Sequence, residues 1–488
     1  MAILSWHRRT VGAVDGVRMA AQQEPSAAKR RRLEGLTAAV LKEVKPSDAE
    51  IRYANSIVNE LMARLRAAAP RSVEILLVGS VARGTQLRGA YDIDIFLLFP
   101  KGVSREQLER RGLKIARDIV DRGKGERYVM KYAEHPYIRL FLRHGTVKSD
   151  IVPAYKVGGA SEVVTAVDRT QLHNEFVNAY MSQQQRDEVR VLKAFMHEHG
   201  IYGAEASTEG FSGYLCELLI YHYGGFVELL EQLSTKSLPL VIEPLGRTEH
   251  RHGSAEESAL LAKFGSRFVV VDPIDPGRNV AANVSDESYA RLALSARKLL
   301  AAPTMANFLG ARYATDNASV RLRAVAKRLG CRFYALRIGT DDVADDIIWH
   351  QLKRAHANII SMLERNGFRP LLALANTRNG VAAMGFMINA LEFGSVIRYG
   401  PEASMAGPSD AFLRAHAGSI VTLEGSRIVA VVPASHRTAG ELLAHVVASR
   451  KRVMPTHLRN GAAMLYENRV PEECAKLLYE AYMAKTSI

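Results

Sequence analysis

Two hydrophobic periods alternate along this chain, and each stretch predicts its elements. After Pro46, Ser47-Asp48-Ala49-Glu50 forms a capping-box pattern. Ile51, Ala54, Val58, Leu61 and Leu65 then recur at helical spacing, so 48–67 is predicted as an amphipathic helix. The β-branched run SVEILLV (72–78) predicts a strand leading straight into Gly79-Ser80, and DIDIFLLF (92–99) predicts a second. A helix at about 104–122 opens on Ser104, with Gln107 at the capping-box position. YVMKY, YIRLFL and TVKSDIVPAY supply further strands, the last two joined at His144-Gly145, a hairpin signal. The first 165 residues therefore read as mixed α/β with a partly antiparallel sheet.

Helical patterning dominates 166–300, with helices expected at 186–199, 212–232 and 286–301 and a strand, RFVVVDP, at 267–273. From about 330 the pattern changes again. FYALRI is a strand, 345–366 a long helix, LLALAN and GVAAMGFMIN strands, 410–416 a short helix, and SIVTLEGSRIVAVVP a hairpin turning at Glu424-Gly425. That order is ferredoxin-like or RNA-recognition-motif (RRM)-like, although the RNP aromatic signature is absent. Helices at 437–452 and 472–484 close the chain. The expected fold class is thus α/β and α+β, multidomain.

Composition excludes several classes. The chain has 488 residues, 48% hydrophobic and 24% charged, which is ordinary globular composition for three or four domains. No run of 18 apolar residues exists, so no membrane partner is expected. Cys216, Cys331 and Cys474 are too far apart for a CxxC zinc site and suggest a reducing compartment, hence a cytoplasmic location. The net charge of +14 points to a polyanionic partner, nucleic acid first. Residues 1–33, which include the run Lys29-Arg30-Arg31-Arg32, are expected to be a disordered basic extension.

The chemistry concentrates in LLVGSVARGTQLRGAYDIDIFLLFP, residues 76–100. A strand ending in Gly79-Ser80 allows close backbone approach, and Ser80 adds a hydroxyl; a helix start there suits a phosphate group. Arg83, one turn on, carries a guanidinium that can fork a phosphate. Asp92 and Asp94 lie at i and i+2 of a strand, so their carboxylates share a face while Ile93 points to the core. Like charges that close call for a cation, and hard carboxylate oxygens select Mg²⁺ or Mn²⁺. Asp150, in the otherwise apolar run VKSDIVPAY, is a third carboxylate that needs a partner. Together they describe a two-metal nucleotidyl transfer site.

These residues resemble the motif of polymerase beta-type nucleotidyltransferases, and the wider chain resembles the archaeal, class I CCA-adding enzymes, the tRNA nucleotidyltransferases. AEHPYIRLF (133–141), DIVPAYKV (150–157), TAVDRTQLH (165–173), EVRVLKAFM (188–196), GIYGAE (200–205), GFSGYLCELLI (210–220) and VVDPIDPGRNVAANVS (270–285) carry the likeness in order. Gln171 and Leu172 depart from it, standing where Pro and an aromatic residue are expected. The resemblance implies a polymerase beta-like catalytic head over 34–165 and a helical nucleotide-binding domain over 166–305. It implies an RRM-like tRNA-binding region over 306–488. It implies two Mg²⁺ ions, or Mn²⁺, on Asp92, Asp94 and Asp150. Ser80 and Arg83, beside Gly79, would meet the triphosphate of ATP or CTP. His173, Lys193 and Tyr202 would line the nucleotide pocket, and Arg278 would sit near the base edge. A homodimer is left open. So are two other readings: a poly(A) or oligoadenylate-type polymerase, and an RNA-binding protein with an inactive transferase site.

Overall fold

A computed structural model describes residues 27–486 apart from 133, 247, 251, 310–315, 341–342, 344 and 450–452. The first described elements are α1 (Ala27–Val44) and α2 (Asp48–Ala68). Ser47 caps α2 by accepting from the Glu50 amide while the Glu50 carboxylate reaches back, the reciprocal pair that the sequence signals. A five-stranded sheet follows, in the order β1-β2-β5-β4-β3. Its strands are β1 (Glu74–Val78), β2 (Asp92–Phe99), β3 (Arg127–Tyr132), β4 (Pro136–Leu142) and β5 (Val147–Tyr155), with the short α3 (Gly79–Arg83) after β1 and α4 (Arg105–Asp118) after β2. The β2–β5 pair is parallel and the others antiparallel.

Strand alternation sorts the two faces of β2. Ile93, Ile95, Leu97 and Phe99 enter a core with Ile57, Val58, Leu61 and Leu65 of α2 and Leu108, Leu113 and Ile115 of α4. Phe96 and Leu98 pack on the other face with Val78, Val152 and Ala154. Asp92 and Asp94 stand at the open end of that second face.

The central helices are α5 (Arg169–Tyr180), α6 (Gln183–Glu198), α7 (Gly213–Tyr223), α8 (Phe226–Leu233), α9 (Ala255–Phe264) and α10 (Asp286–Ala301). A small sheet of β6 (Leu240–Glu243), β7 (Thr248–Glu249) and β8 (Phe268–Val270) lies among them. The helix expected over 212–232 is two helices. Gly224, at φ +93°, and Gly225 break it, a left-handed turn that side chains resist. The N-terminal expectation also changes. The basic run lies inside α1, whose Leu33, Val40 and Val44 are buried in the core of α6, α7 and α8. Arg30 is engaged by Glu34, Glu228 and Glu231. An apolar stripe obscured by four consecutive cations explains the miss. Residues 1–26 and the cluster Arg450-Lys451-Arg452 lie outside the described residues.

The last third holds α11 (Ala318–Arg328), β9 (Cys331–Gly339), α12 (Asp345–Arg365), β10 (Pro370–Arg378), β11 (Val381–Asn389), β12 (Ser395–Glu402), α13 (Ala406–Ala415), β13 (Ile420–Glu424) and β14 (Arg427–Pro433). It ends in α14 (Ala439–Ala448), α15 (Thr456–Asn460), β15 (Ala463–Glu467) and α16 (Glu472–Thr486). One antiparallel sheet runs β10-β11-β9-β15 and a second runs β12-β14-β13. The 420–433 hairpin therefore does not complete the sheet begun by FYALRI. Its fourth strand is β15, a five-residue segment whose pairing with β9 closes a loop of well over a hundred residues. Among the described residues no helix is long and apolar enough to cross a membrane.

Candidate active site

Sheet register brings two of the three expected carboxylates face to face. Asp94 pairs in register with Val78 on one side and Asp150 on the other, and Asp92 lies two residues earlier on the same face. Gly79 makes room for them. Its φ is +77°, and a Cβ built there would lie 2.1 Å from Asp94 Oδ2. Any side chain there would have to displace that carboxylate, and from a backbone conformation that residues with a Cβ rarely adopt. Ser80, half-buried on α3, accepts the Thr85 amide at its carbonyl (2.9 Å), which closes the turn at Gly84.

Asp150 is already partnered. Arg139, its cross-strand neighbour on β4, donates Nε to Oδ1 at 2.7 Å and Nη2 to Oδ2 at 2.6 Å. This two-pronged geometry is the strong form of an arginine–carboxylate contact. In this arrangement no three His, Cys, Asp or Glu side chains among the described residues are gathered closely enough to hold an ion. Asp94 registers the strain of the site. Burial first, then the charges of Asp150 and Asp92, push its carboxyl up to about 7. An all-oxygen set under that repulsion fits a hard divalent cation.

The predicted phosphate and pocket residues form two polar clusters beside this face. In the first, Arg83 is buried and its Nε donates to Glu217 Oε1 at 3.1 Å, not toward open solvent. Thr85 Oγ1 donates to the same oxygen at 2.7 Å. Lys193, buried on α6, donates to the Thr85 carbonyl (3.0 Å) and hydroxyl (3.3 Å). Burial drives its ammonium below the usual lysine range, against the pull of Glu217. Tyr202 joins them across Gly213, where a Cβ would meet Tyr202 Oη at 3.2 Å and Lys193 Nζ at 3.6 Å. The charge of Arg83 is felt at Asp94, His173, Lys193 and Tyr202, so it links the carboxylate face to both clusters.

The second cluster centres on Asp272, which has no solvent exposure. His173 Nε2 lies 3.1 Å from Asp272 Oδ2, and Arg278 Nη1 donates to the same oxygen at 2.9 Å. Tyr214 Oη (3.2 Å) and the Ile274 amide (3.2 Å) donate to Oδ1. The His173 ring stacks on Tyr214 at 3.8 Å between centroids. Burial holds the His173 pKa below the ordinary value despite the neighbouring carboxylate. Burial pushes Asp272 up, yet His173, Arg278 and the Ile274 amide outweigh it and keep the carboxyl below its ordinary range. Gln171 has its own task. It accepts from the Val157 amide and donates to the carbonyls of Tyr155 and Asp168, fastening α5 to the end of β5.

Asp272, Glu217, Thr85 and Arg139 were not singled out by sequence reasoning. For the two acids a signal existed: each is a lone carboxylate in an apolar run, VVVDP and YLCELLI, and a buried acid requires partners. Nothing local marked Arg139 or Thr85.

Comparison with known proteins finds matches in three stretches of the chain. Residues 58–173 match the model of the nucleotidyltransferase domain, 187–309 that of the tRNA nucleotidyltransferase second domain, and 329–467 that of the CCA-adding enzyme C-terminal domain. A CCA-adding enzyme of Archaeoglobus fulgidus is 36% identical over 375 residues, 76% of this chain and 79% of that protein. That of Methanothermobacter thermautotrophicus is 33% identical over 427 residues, 86% and 89% of the two chains. Among solved structures, the Cid1 poly(U) polymerase aligns with a TM-score of 0.44 at 15% identity, covering 56% of this chain and 96% of that one. A mixed α/β multidomain chain with a nucleotidyltransferase head, matched along most of its length to such relatives, belongs to the CCA-adding enzyme family.

Proposed function

We propose that this chain adds and repairs the 3′-terminal CCA of tRNA from CTP and ATP. The 3′-hydroxyl oxygen of the tRNA attacks the α-phosphorus, a new phosphodiester bond forms, and the bond to the bridging oxygen breaks to release pyrophosphate. The observation that carries this reading is identity above 30% with CCA-adding enzymes over most of both chains, around a face bearing Asp92, Asp94 and Asp150.

Asp92, Asp94 and Asp150 would hold two Mg²⁺ ions, or Mn²⁺, which supply charge neutralisation at the triphosphate and acidify the attacking hydroxyl. The side chains do the rest by positioning. Gly79 lets the triphosphate approach the backbone beside Asp94. Ser80 and Arg83 take phosphate oxygens, Arg83 exchanging Glu217 for the ligand. Lys193 and Tyr202 wall the sugar and phosphates, His173 lines the pocket, and Arg278 meets the base edge. We assign catalysis to 34–165, nucleotide binding to 166–305 and the tRNA to 306–488. The order β10-β11-β9-β15 supports reading the last as ferredoxin-like. The excess of positive charge supports holding tRNA by its backbone and shape. Free thiols at Cys216, Cys331 and Cys474 support a reducing, cytoplasmic setting.

The test is single-nucleotide addition to three tRNAs ending before CCA, after C and after CC, with labelled CTP and ATP. Two CMP and one AMP should be added in order, and then addition should stop. Long AMP tails on any 3′ end would make the chain a poly(A) polymerase, and no incorporation at all would leave an RNA-binding protein.

A further inference from the structure

Arg278, Tyr214 and the Ile274 amide all donate to the Asp272 carboxylate, and with the His173 ring nitrogen they commit both of its oxygens. An ionised carboxylate has only acceptors to offer. The proton between His173 and Asp272 therefore sits on His173 Nε2. Arg278 Nη1, 3.5 Å from that protonated nitrogen, is a neighbour of it and not a bonding partner. Arg278 spends one of its five donors on Asp272 and keeps the others in a plane that this contact orients. The stack of His173 on Tyr214 fixes the ring, and Tyr214 is itself tied to Asp272. His173 comes from α5, Tyr214 from α7 and Arg278 from the loop after β8, so one buried carboxylate joins three separate elements.

We propose that Asp272 is the positioning residue for nucleotide choice: it sets the tautomer of His173 and the plane of Arg278, and so decides which base edges the pocket accepts. The inference rests on the reading that Arg278 meets the base. CTP and ATP carry an exocyclic amino donor where UTP and GTP carry a carbonyl acceptor. A guanidinium offers donors only, so it pairs with the bare ring nitrogen beside that amino group, which in UTP and GTP is an N–H; free to swing it reaches the carbonyl of the wrong base instead, whereas held in a single plane it does not. Asp272 thus acts through Arg278 and His173 without touching the nucleotide.

Asp272→Asn tests this. The amide keeps the shape but presents one oxygen and one NH₂ group to four donors, so half of the contacts fail. The readout is the ratio of CMP to UMP, and of AMP to GMP, added to tRNA lacking the relevant terminal residue. That ratio should fall about tenfold or more, as expected when charge-assisted hydrogen bonds are lost. ¹⁵N spectra of the His173 ring should move from Nε2–H toward a tautomer mixture. Tyr214→Phe removes one donor and leaves the carboxylate, so it should shift the ratio in the same direction by less, and it serves if the Asn variant does not fold. Unchanged ratios in Tyr214→Phe and Asp272→Asn, alongside a changed ratio in Arg278→Ala, would overturn the proposal and keep Arg278 at the base. Unchanged ratios in all three variants would remove both.

Discussion

Gly79 and Asp94 occupy almost the same space. The hydrogen of Gly79 points at a carboxylate oxygen that a methyl group would reach within 2.1 Å, from a backbone already at φ +77°. Gly79→Ala must move Asp94, α3 or both. We expect incorporation of both nucleotides to fall about 100-fold, the scale at which a displaced reacting group is penalised, while the far-ultraviolet spectrum is kept. Near-normal turnover of Gly79→Ala would mean that the site is built with more slack than this contact allows.

Asp92→Ala, Asp94→Ala and Asp150→Ala should each abolish CMP and AMP addition alike if, as proposed, both nucleotides use one set of carboxylates. Asp150→Ala also strips Arg139 of its partner, a pair that is mostly buried. Circular dichroism must therefore accompany the assay, and loss through unfolding is no support. Retention of either activity in a folded Asp150→Ala protein removes Asp150 from the site.

Without divalent metal, Asp94 makes stability depend on pH. Its native carboxyl titrates at about 7 against an ordinary 3.8, so the native state holds a proton that the unfolded chain has released. The native form then binds more protons between those values, and the contribution of Asp94 is full below about pH 4 and is lost as pH rises through 7. In EDTA, Tm should decline across this window, Asp94→Asn should flatten the decline, and Mg²⁺ should restore Tm at the alkaline end. Parallel wild-type and Asp94→Asn curves would place the titration elsewhere.

Arg278→Ala should raise UMP and GMP misincorporation relative to CMP and AMP, with little change in the Mg²⁺ dependence. Its hydrogen-bonding partners are Asp272 and its own loop, not the carboxylate face. Equal loss with all four nucleotides would assign it to phosphate.

Binding of tRNA should weaken steeply with salt, since each phosphate contact releases condensed counterions. A chain starting at Ala27 should keep most of its affinity, because it retains the described part of α1 and Arg30 is already engaged by glutamates. Substituting Arg450, Lys451 and Arg452 with Ala should give a shallower slope. An unchanged slope would leave that cluster as a solvated charge run, and loss of binding on truncation would make the first 26 residues an RNA anchor.

What could be read from residue order was whatever depends on near neighbours. The pair Asp92 and Asp94 was legible because a strand alternates every residue and Ile93 had to be inside. The capping box at Ser47 was legible because its partners lie three residues apart. Asp272 was not, since its histidine lies 99 residues earlier and nothing in VVVDP names it. The partner of Asp150 escaped for a similar reason. Arg139 reads as an ordinary surface residue of a strand until the register of β4 on β5 sets it opposite. The place of β15 in the sheet needed a pairing that no local pattern encodes. Gly224-Gly225 was a local signal that a strong apolar period overrode.

The burial of α1 bears on how a ribosome delivers this chain. The core of the five-stranded sheet draws on residues between Ile57 and Tyr155 and can close once that stretch has emerged. The apolar stripe of α1 emerges before its partner α6, whose Val191 and Leu192 share its core some 150 residues later. At roughly 5–20 residues per second, Leu33, Val40 and Val44 wait on the order of ten seconds for their partners. Throughout that interval the nascent protein exposes an arginine-rich segment with an uncovered apolar stripe ahead of a finished five-stranded sheet, the kind of surface that holdase chaperones cover.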